Sequence, residues 1–303
     1  MKIAAVDLGT NAFRVLIQEK DQKSYFNILK YREIVGLGKH LNSDNELRLT
    51  KKYYSTLNKI FLLLKKYNVE KVKIVGTSVF RDATNKKQIK SDFFSKWKYK
   101  LNIISPKVEA ELTAKGAISK FKKNDKYLVV DIGGGSTELV LVIDDNVSSY
   151  ISLNIGVVKM LKKFKNYNEY PIDELTKISE YVYNFLISNK INKQFLNNDF
   201  HIIMNAGTPT TLAAIDLKME QYDEKKISGH KMSLAKTYKI LNLLSKISWR
   251  ERLNIIGLEK GREKVIVFGI IILIKIVEFF NKKNYLVSDS GVLEGIFEKY
   301  FEI

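Results

Sequence analysis

The stretch Asp131-Ile132-Gly133-Gly134-Gly135-Ser136-Thr137-Glu138 stands between two apolar runs, Leu128-Val129-Val130 and Leu139 to Ile143. It does not fit a dinucleotide-binding fingerprint. Glu138 occupies the place of the third glycine, and a strand-like run follows where a helix should receive the pyrophosphate. A phosphate-binding P-loop would end in Gly-Lys-Ser/Thr, which is absent. What remains is a β-hairpin whose glycine turn leaves backbone N–H groups unobstructed, a concavity suited to an anion. Taken alone, such a turn is equally an ordinary link between strands. A second copy tips the balance: Asp7-Leu8-Gly9-Thr10-Asn11-Ala12-Phe13-Arg14 repeats the order of acid at a strand end, small turn, hydroxyl and next strand.

Outward from these loops, the pattern of strand, loop, strand, strand, helix occurs twice. In the first half it predicts strands at Ile3 to Asp7, Phe13 to Gln18 and Tyr25 to Val35. A helix over Thr50 to Asn68 follows, with Tyr53, Leu57, Ile60, Phe61 and Leu64 on one face. Next come a strand at Lys71 to Thr77 and a helix from Lys86 to Leu101 with Phe93, Phe94 and Trp97 inward. A short strand at Asn102 to Ser105 leads to a helix that Pro106 opens. The second half repeats this from Tyr127, with a third strand at Val147 to Leu153 and helices near Val157 to Phe164 and Ile172 to Ile191. It continues through a strand at His201 to Asn205 and helices over Thr210 to Leu217 and Ser233 to Ile247. A helix beginning near Arg262 is apolar on all sides from Val265 to Ile276 and is expected to be wholly buried. A strand at Tyr285 to Ser288 and a helix from Val292 complete the pattern. The repeat reads as an internal duplication, with domains at 1–123 and 124–303, a soft boundary near Lys123 to Lys126, and residues 292–303 packing back on the first domain.

Composition limits the chemistry. The 303 residues contain no cysteine, which removes disulfides, zinc–thiolate and iron–sulfur sites and thiol nucleophiles. The three histidines, His40, His201 and His230, are too dispersed for a local metal motif, and His230 reads as a hinge or surface residue. The apolar run from Val265 is broken by Lys275 and Glu278 before the ~20 residues that span a bilayer. With no signal-peptide pattern at the N-terminus, a cytoplasmic protein without membrane attachment is expected. The net charge of +18 is consistent with a polyanionic partner. Only seven of the 51 cations are arginine, however, in a chain also rich in asparagine and isoleucine, so compositional drift toward lysine accounts for the total equally well. The arginines are more informative, because bidentate phosphate recognition is arginine chemistry.

Facing hairpins of this kind are the phosphate grip of the actin, heat-shock ATPase and sugar-kinase fold. More narrowly, the sequence resembles the exopolyphosphatase and guanosine pentaphosphatase (Ppx/GppA) family across nearly its whole length. The resemblance runs through DLGTNAFR at 7–14, REIVGLGKHL at 32–41, GTSVFRDATN at 76–85 and IISPKVEAEL at 103–112. It continues through DIGGGSTE at 131–138, NAGTPTTLAA at 205–214 and VSDSGVLEGI at 287–296. It implies an α/β architecture of two actin-like (ribonuclease H-like) domains with a phosphate-binding cleft between them.

A phosphoanhydride hydrolase needs cations and N–H donors for the phosphates, carboxylates for a divalent metal, and a carboxylate to orient or deprotonate water. The resemblance makes Glu109 the general base; by itself it is equally a first-turn glutamate stabilised by the helix dipole. It gives Asp131 and Glu138 to Mg²⁺ and places Asp7 near metal-bound waters rather than buried. Gly9, Thr10, Asn11, Arg14, Arg81, Gly133, Gly134, Gly135, Ser136 and Thr137 are implied phosphate contacts, with Gly207 and Thr208 a third loop for a terminal phosphate or nucleotide. The alternative for Arg14 and Arg81 is an ion pair with a neighbouring acid. Arg262, just before the buried helix, reads as structural.

Three departures from the family pattern stand out: Val108 replaces the first of two usual acids, Ser105-Pro106 a more usual Ser-Gly, and Ala12 a common serine. The expected function is Mg²⁺-dependent release of terminal phosphate from inorganic polyphosphate, or alternatively from guanosine pentaphosphate. A homodimer is compatible with the family, and no specific nucleic-acid partner is expected. A kinase of the same superfold would need an acceptor-site motif that is not evident. A non-catalytic sensor of polyphosphate or the alarmone would be favoured by loss of Glu109, Asp131 or Glu138, and all three are present.

Overall fold

The computed structural model describes residues 1–21, 25–122, 125–165, 168–189, 191, 195 and 199–301. The chain forms two compact units, Met1–Gly116 with Val292–Ile303, and Ala117–Gly291. These units divide at Gly116, inside the Pro106–Ile118 helix; the soft boundary expected near Lys123 to Lys126 falls partly outside the described residues, at 123 and 124. No composition shift marks a boundary within a helix, so the sequence had no signal for it. The Val292–Tyr300 helix belongs to the first unit.

The first unit is built on a five-stranded sheet in the order β3-β2-β1-β4-β5, with β1 Lys2–Leu8, β2 Ala12–Lys20, β3 Tyr25–Ile34, β4 Lys71–Gly76 and β5 Asn102–Ile103. β1 pairs antiparallel with β2 and parallel with β4, and β5 adds parallel to β4. Both faces of β1 are covered, which explains why Ile3 to Val6 reads as a continuous apolar run instead of an alternating one. Ala4, Val6 and Leu8 pack with Phe13, Val15 and the Lys51–Lys66 helix. Ile3 and Ala5 pack on the opposite face with Leu16, Leu112 and the Val292–Tyr300 helix. Phe94, expected inward, is 50% exposed, because the Lys86–Trp97 helix turns only Ile89 and Phe93 fully into the core.

The second unit carries a six-stranded sheet in the order β10-β11-β9-β6-β7-β8. Its strands are β6 Lys126–Ile132, β7 Thr137–Ile143, β8 Asn146–Leu153, β9 His201–Asn205, β10 Lys231–Ser233 and β11 Asn284–Val287. Omitting β10, the order and directions match those of the first unit, with β6 in the place of β1. This is the duplicated actin-like arrangement that the two loops predict. The Ile266–Phe279 helix is buried along nearly its whole length, as its apolar run up to Ile274 requires. Among the described residues, no helix is long and apolar enough to cross a membrane.

The sequence reading missed short elements. A 3₁₀ turn at Leu37–His40 and helices at Ser78–Asp82, Glu224–Ile227 and Trp249–Arg252 are each too short to show a period, and β10 is three residues long.

Candidate functional site

The candidate residues lie in segments that follow the carboxyl ends of parallel strands, where open α/β sheets place their ligands. In the first unit the Gly9–Ala12 turn follows β1, Arg81 follows β4, and Glu109 follows β5. In the second, the Gly133–Ser136 turn follows β6, and Gly207 and Thr208, expected as a loop, instead form the first turn of the Gly207–Asp216 helix after β9.

The two glycine turns share one construction. Gly9 N donates to Ala12 O at 3.0 Å and Gly133 N to Ser136 O at 2.9 Å, closing each hairpin at the same position. Gly38 N then donates to Thr10 O at 2.9 Å, and Val35 N and Gly36 N both donate to Asn11 O, at 2.9 and 2.8 Å. In the second unit Val157 N and Val158 N, opening the Val157–Phe164 helix, donate to Gly133 O at 3.0 Å and Gly134 O at 2.9 Å. A trans peptide points its C=O and the following N–H in opposite directions. Tying these carbonyls back therefore turns the N–H groups of Asn11, Ala12, Gly134 and Gly135 outward, away from their own scaffolds. Successive N–H groups presented this way favour an anion.

The strand residues beside the turns differ between the units. Asp7 faces Arg14 across β1 and β2, and Arg14 donates to Asp7 Oδ2 from Nε at 2.9 Å and Nη2 at 2.5 Å. Asp7 is 1% exposed, which corrects the expectation of a solvated acid: the pair is drawn into the sheet. Its second oxygen, Oδ1, is buried with no protein partner. At the matching position of the second unit Asp131 faces Glu138, so two carboxylates share one face. Glu138 is buried and accepts from Ser152 Oγ at 2.9 Å, while Asn205 Nδ2 lies 3.5 Å from Asp131 Oδ2. Ser152 and Asn205 are the cross-strand neighbours of Glu138 and Asp131, a relation that only the register reveals.

Glu109 sits in the first turn of the Pro106–Ile118 helix, and its Oε2 accepts from Arg81 Nη1 at 2.5 Å. The same Nη1 donates to Ile104 O at 3.1 Å. The ion pair considered as an alternative for Arg81 is thus present, and its partner is the candidate base itself.

Three expected contacts are otherwise engaged. Thr137 is fully buried, and its hydroxyl donates to Ile155 O at 2.7 Å, so it anchors the turn from inside because it alternates with Glu138 along β7. Thr208 is buried against Gly269, where a Cβ on that glycine would lie 2.1 Å from Thr208 Oγ1. Gly207 lies beneath Arg262: a Cβ there would stand 1.5 Å from Arg262 Nη2, and Arg262 Nε donates to Glu259 Oε2 at 2.8 Å. The preceding Ala206 holds φ 73° and ψ −167°, a strained conformation for a residue with a side chain. His230 is no free surface residue, since its Nε2 lies 2.8 Å from Asp216 Oδ2. Among the described residues no group of three or more acids and histidines forms a ready cation cage.

Residues 16–301 match the Ppx/GppA phosphatase family. The chain is 36% identical over 316 residues to the bifunctional 3-dehydroquinate synthase/phosphatase of Fusobacterium nucleatum, covering 98% of this chain and 47% of that protein. It is 28% identical over 300 residues to the guanosine-5'-triphosphate,3'-diphosphate pyrophosphatase of Photobacterium profundum, covering 97% and 58%. It therefore spans about half the length of these two relatives. With exopolyphosphatase 2 of Mycobacterium tuberculosis it shares 25% identity over 97% of both chains. Among solved structures, the Aquifex aeolicus Ppx/GppA enzyme aligns over 98% of each chain at 27% identity with a TM-score of 0.82.

Proposed function

Because the chain belongs to the Ppx/GppA phosphatase family, we propose that it is an exopolyphosphatase, using water and Mg²⁺ to release the terminal phosphate of inorganic polyphosphate. The observation that carries this reading is the pair of glycine turns. Each has its carbonyls bonded behind it and its N–H groups turned outward, as a chain of phosphates demands. Polyphosphate is preferred because the relative matched along its whole length is named an exopolyphosphatase.

In this reading the N–H groups of Asn11, Ala12, Gly134 and Gly135 hold phosphate oxygens, and Arg14 and Arg81 supply forked donors. Glu109 accepts the proton of the attacking water. As the water oxygen bonds to the terminal phosphorus, the bridging P–O bond breaks, and the shortened chain leaves with the electron pair. A phosphate that draws Arg81 toward itself takes it from Glu109 Oε2, so binding substrate and freeing the base are one event. Asp131 and Glu138 fit Mg²⁺, which takes one or two carboxylates and keeps several waters rather than needing an all-protein cage. Two opposed carboxylates on one face also repel unless a cation or proton lies with them. When bound, Mg²⁺ supplies positive charge to the phosphate oxygens. The unpartnered Asp7 Oδ1 is suited to accept a hydrogen bond from a water.

A second reading, removal of the 5′ terminal phosphate of guanosine pentaphosphate, is favoured by the relative named for that type of substrate. Phosphate release measured side by side from polyphosphate and guanosine pentaphosphate, with and without Mg²⁺, decides between them. Release from neither removes both.

A further inference from the structure

The +18 charge is unevenly placed along the chain. Residues 51–100 contain fourteen of the 51 cations and three of the 33 acids, a net +11. Eleven of these cations are lysines at 51–66 and 86–100, stretches in which Asp92 is the one acid, and all eleven are exposed. The Lys51–Lys66 and Lys86–Trp97 helices that carry most of them form one layer. Tyr53, Leu57 and Ile60 of the first and Ile89 and Phe93 of the second join the same core, and Trp97 Nε1 donates to Asn58 Oδ1 at 2.9 Å between them. Glu33 takes Lys52 and Lys59, and Asp92 takes Lys96. Among the described residues no acid pairs with the other eight lysines. Compositional drift toward lysine would act on every helix alike, yet the Ile172–Ser188 helix carries one lysine and three acids. Drift therefore does not account for this face.

The layer also presents aromatic rings. In the seam between the helices Trp97 stacks on Phe61 at 5.4 Å and Phe61 on Tyr99 at 4.9 Å. Phe61 covers one face of Tyr99, which is 36% exposed and stands between Lys98 and Lys100. Phe94, half exposed, lies one helical turn from Lys90 and one from Lys98, the residue that caps the helix. Lysines alone suit any polyanion. Exposed rings interleaved with them suit one whose phosphates carry flat bases, because a base stacks on a ring while the ammonium groups follow the backbone. An anionic lipid surface calls instead for a helix with a spare apolar face, and both of these helices have theirs in the core.

We propose that this two-helix layer binds single-stranded nucleic acid without sequence preference, its bases stacking on Tyr99 and Phe94 and its phosphates on the surrounding lysines. The surface is separate from the residues assigned to phosphate release and does not depend on that reading.

The test follows the fluorescence anisotropy of a labelled oligouridylate of about 20 nucleotides between about 50 and 300 mM salt. Tyr99→Ala and Phe94→Ala each weaken binding roughly 5- to 150-fold, the span of one lost base–aromatic stack. Tyr99→Phe keeps the ring and binds as the wild type does. Changing Lys98 and Lys100 together to glutamine lowers the slope of log affinity against log salt by about 1.4, at about 0.7 per phosphate contact on a single strand. Lys177→Gln, on the Ile172–Ser188 helix, leaves binding unchanged. Circular dichroism and ligand-free Tm show that the variants fold. An abasic strand of the same length binds the wild type more weakly than the oligouridylate, and that difference shrinks in Tyr99→Ala. Equal binding of the two strands by the wild type overturns the proposal and leaves a surface for phosphates alone. Wild-type affinity in both alanine variants overturns it as well, as does a wild type that binds phosphatidylglycerol vesicles and not the strand, or that binds neither at low salt.

Discussion

Gly156 stands so close to Gly134 that a Cβ on Gly156 would lie 2.7 Å from the Gly134 carbonyl carbon and oxygen. Gly38 occupies the matching place in the first unit, where a Cβ would lie 2.4 Å from Thr10 Cγ2. Both glycines let a helical segment reach the second residue of a glycine turn. The obstacle is rigid backbone in one unit and a rotatable methyl in the other.

Gly156→Ala is accordingly expected to push the Gly133–Ser136 turn off its scaffold, costing about 1 to 3 kcal/mol, the range for an overpacked site, and most of the activity. Its φ of −162° is open to any residue, so the effect is one of contact. Gly38→Ala is expected to be milder, because Thr10 can change rotamer. Urea denaturation and phosphate release on both variants check this; equal losses would contradict the distinction.

Glu109→Gln should lower kcat roughly 10²- to 10⁴-fold, the contribution of a positioned acid–base group, with KM little changed. Glutamine still offers Arg81 a carbonyl oxygen, so the local fold is kept. Steady-state phosphate release is the measurement. A variant turning over near the wild-type rate would move water activation elsewhere, most directly to Glu138.

These two sites show what the sequence could and could not reveal. The turns were legible because acid, glycine and hydroxyl recur at fixed spacing in both halves, and the strands beside them carry a clear apolar period. The partnerships were not. Ser152 meets Glu138, and Arg32 meets Arg14, through strand register, which follows from the lengths of the turns and from the bulges recorded on β2 and β7. Arg81 meets Glu109, 28 positions further along the chain, through the parallel placement of β4 and β5. The burial of Asp7 was misjudged because a carboxylate in an apolar strand can be drawn inward when its cross-strand neighbour is an arginine.

Arg252 is fully buried and bonded to main-chain carbonyls from three separate segments. Nε donates to Leu244 O at 2.8 Å, Nη1 to Glu263 O at 2.9 Å, and Nη2 to Asn168 O. Its guanidinium also lies 5.3 Å from the centre of the Tyr170 ring. Burial lowers its pKa, but an arginine retains its charge. Arg252→Met should cost about 3 kcal/mol or more, since three main-chain acceptors, one of them the buried Leu244 carbonyl, lose their donor at once. Arg252→Lys should recover little, because one ammonium cannot reach all three carbonyls. Equilibrium unfolding of the two variants is the check, and a loss below about 1 kcal/mol for methionine would show that water replaces the fork.

Asp216 ends the Gly207–Asp216 helix, where the negative end of the dipole disfavours a carboxylate. Its Oδ2 nevertheless lies 2.8 Å from His230 Nε2 and accepts from Lys236 Nζ at 2.9 Å. Burial pushes this carboxyl's pKa up, but the hydrogen bonds from Lys236 and His230 and the charges of both outweigh burial, so the net shift is downward. A carboxyl whose folded pKa is depressed contributes stability above its unfolded value, near 3.9, and loses it as pH falls through the folded value. Asp216→Asn should therefore be less stable than the wild type at pH 7, by about 1 kcal/mol for a partly screened charged hydrogen bond. The gap should be intact at pH 5 and close as the pH is lowered below about 4. Denaturant titrations of both proteins at pH 7, 5 and 3 measure it. A gap that persists undiminished at pH 3 would mean that the asparagine loses packing rather than charge.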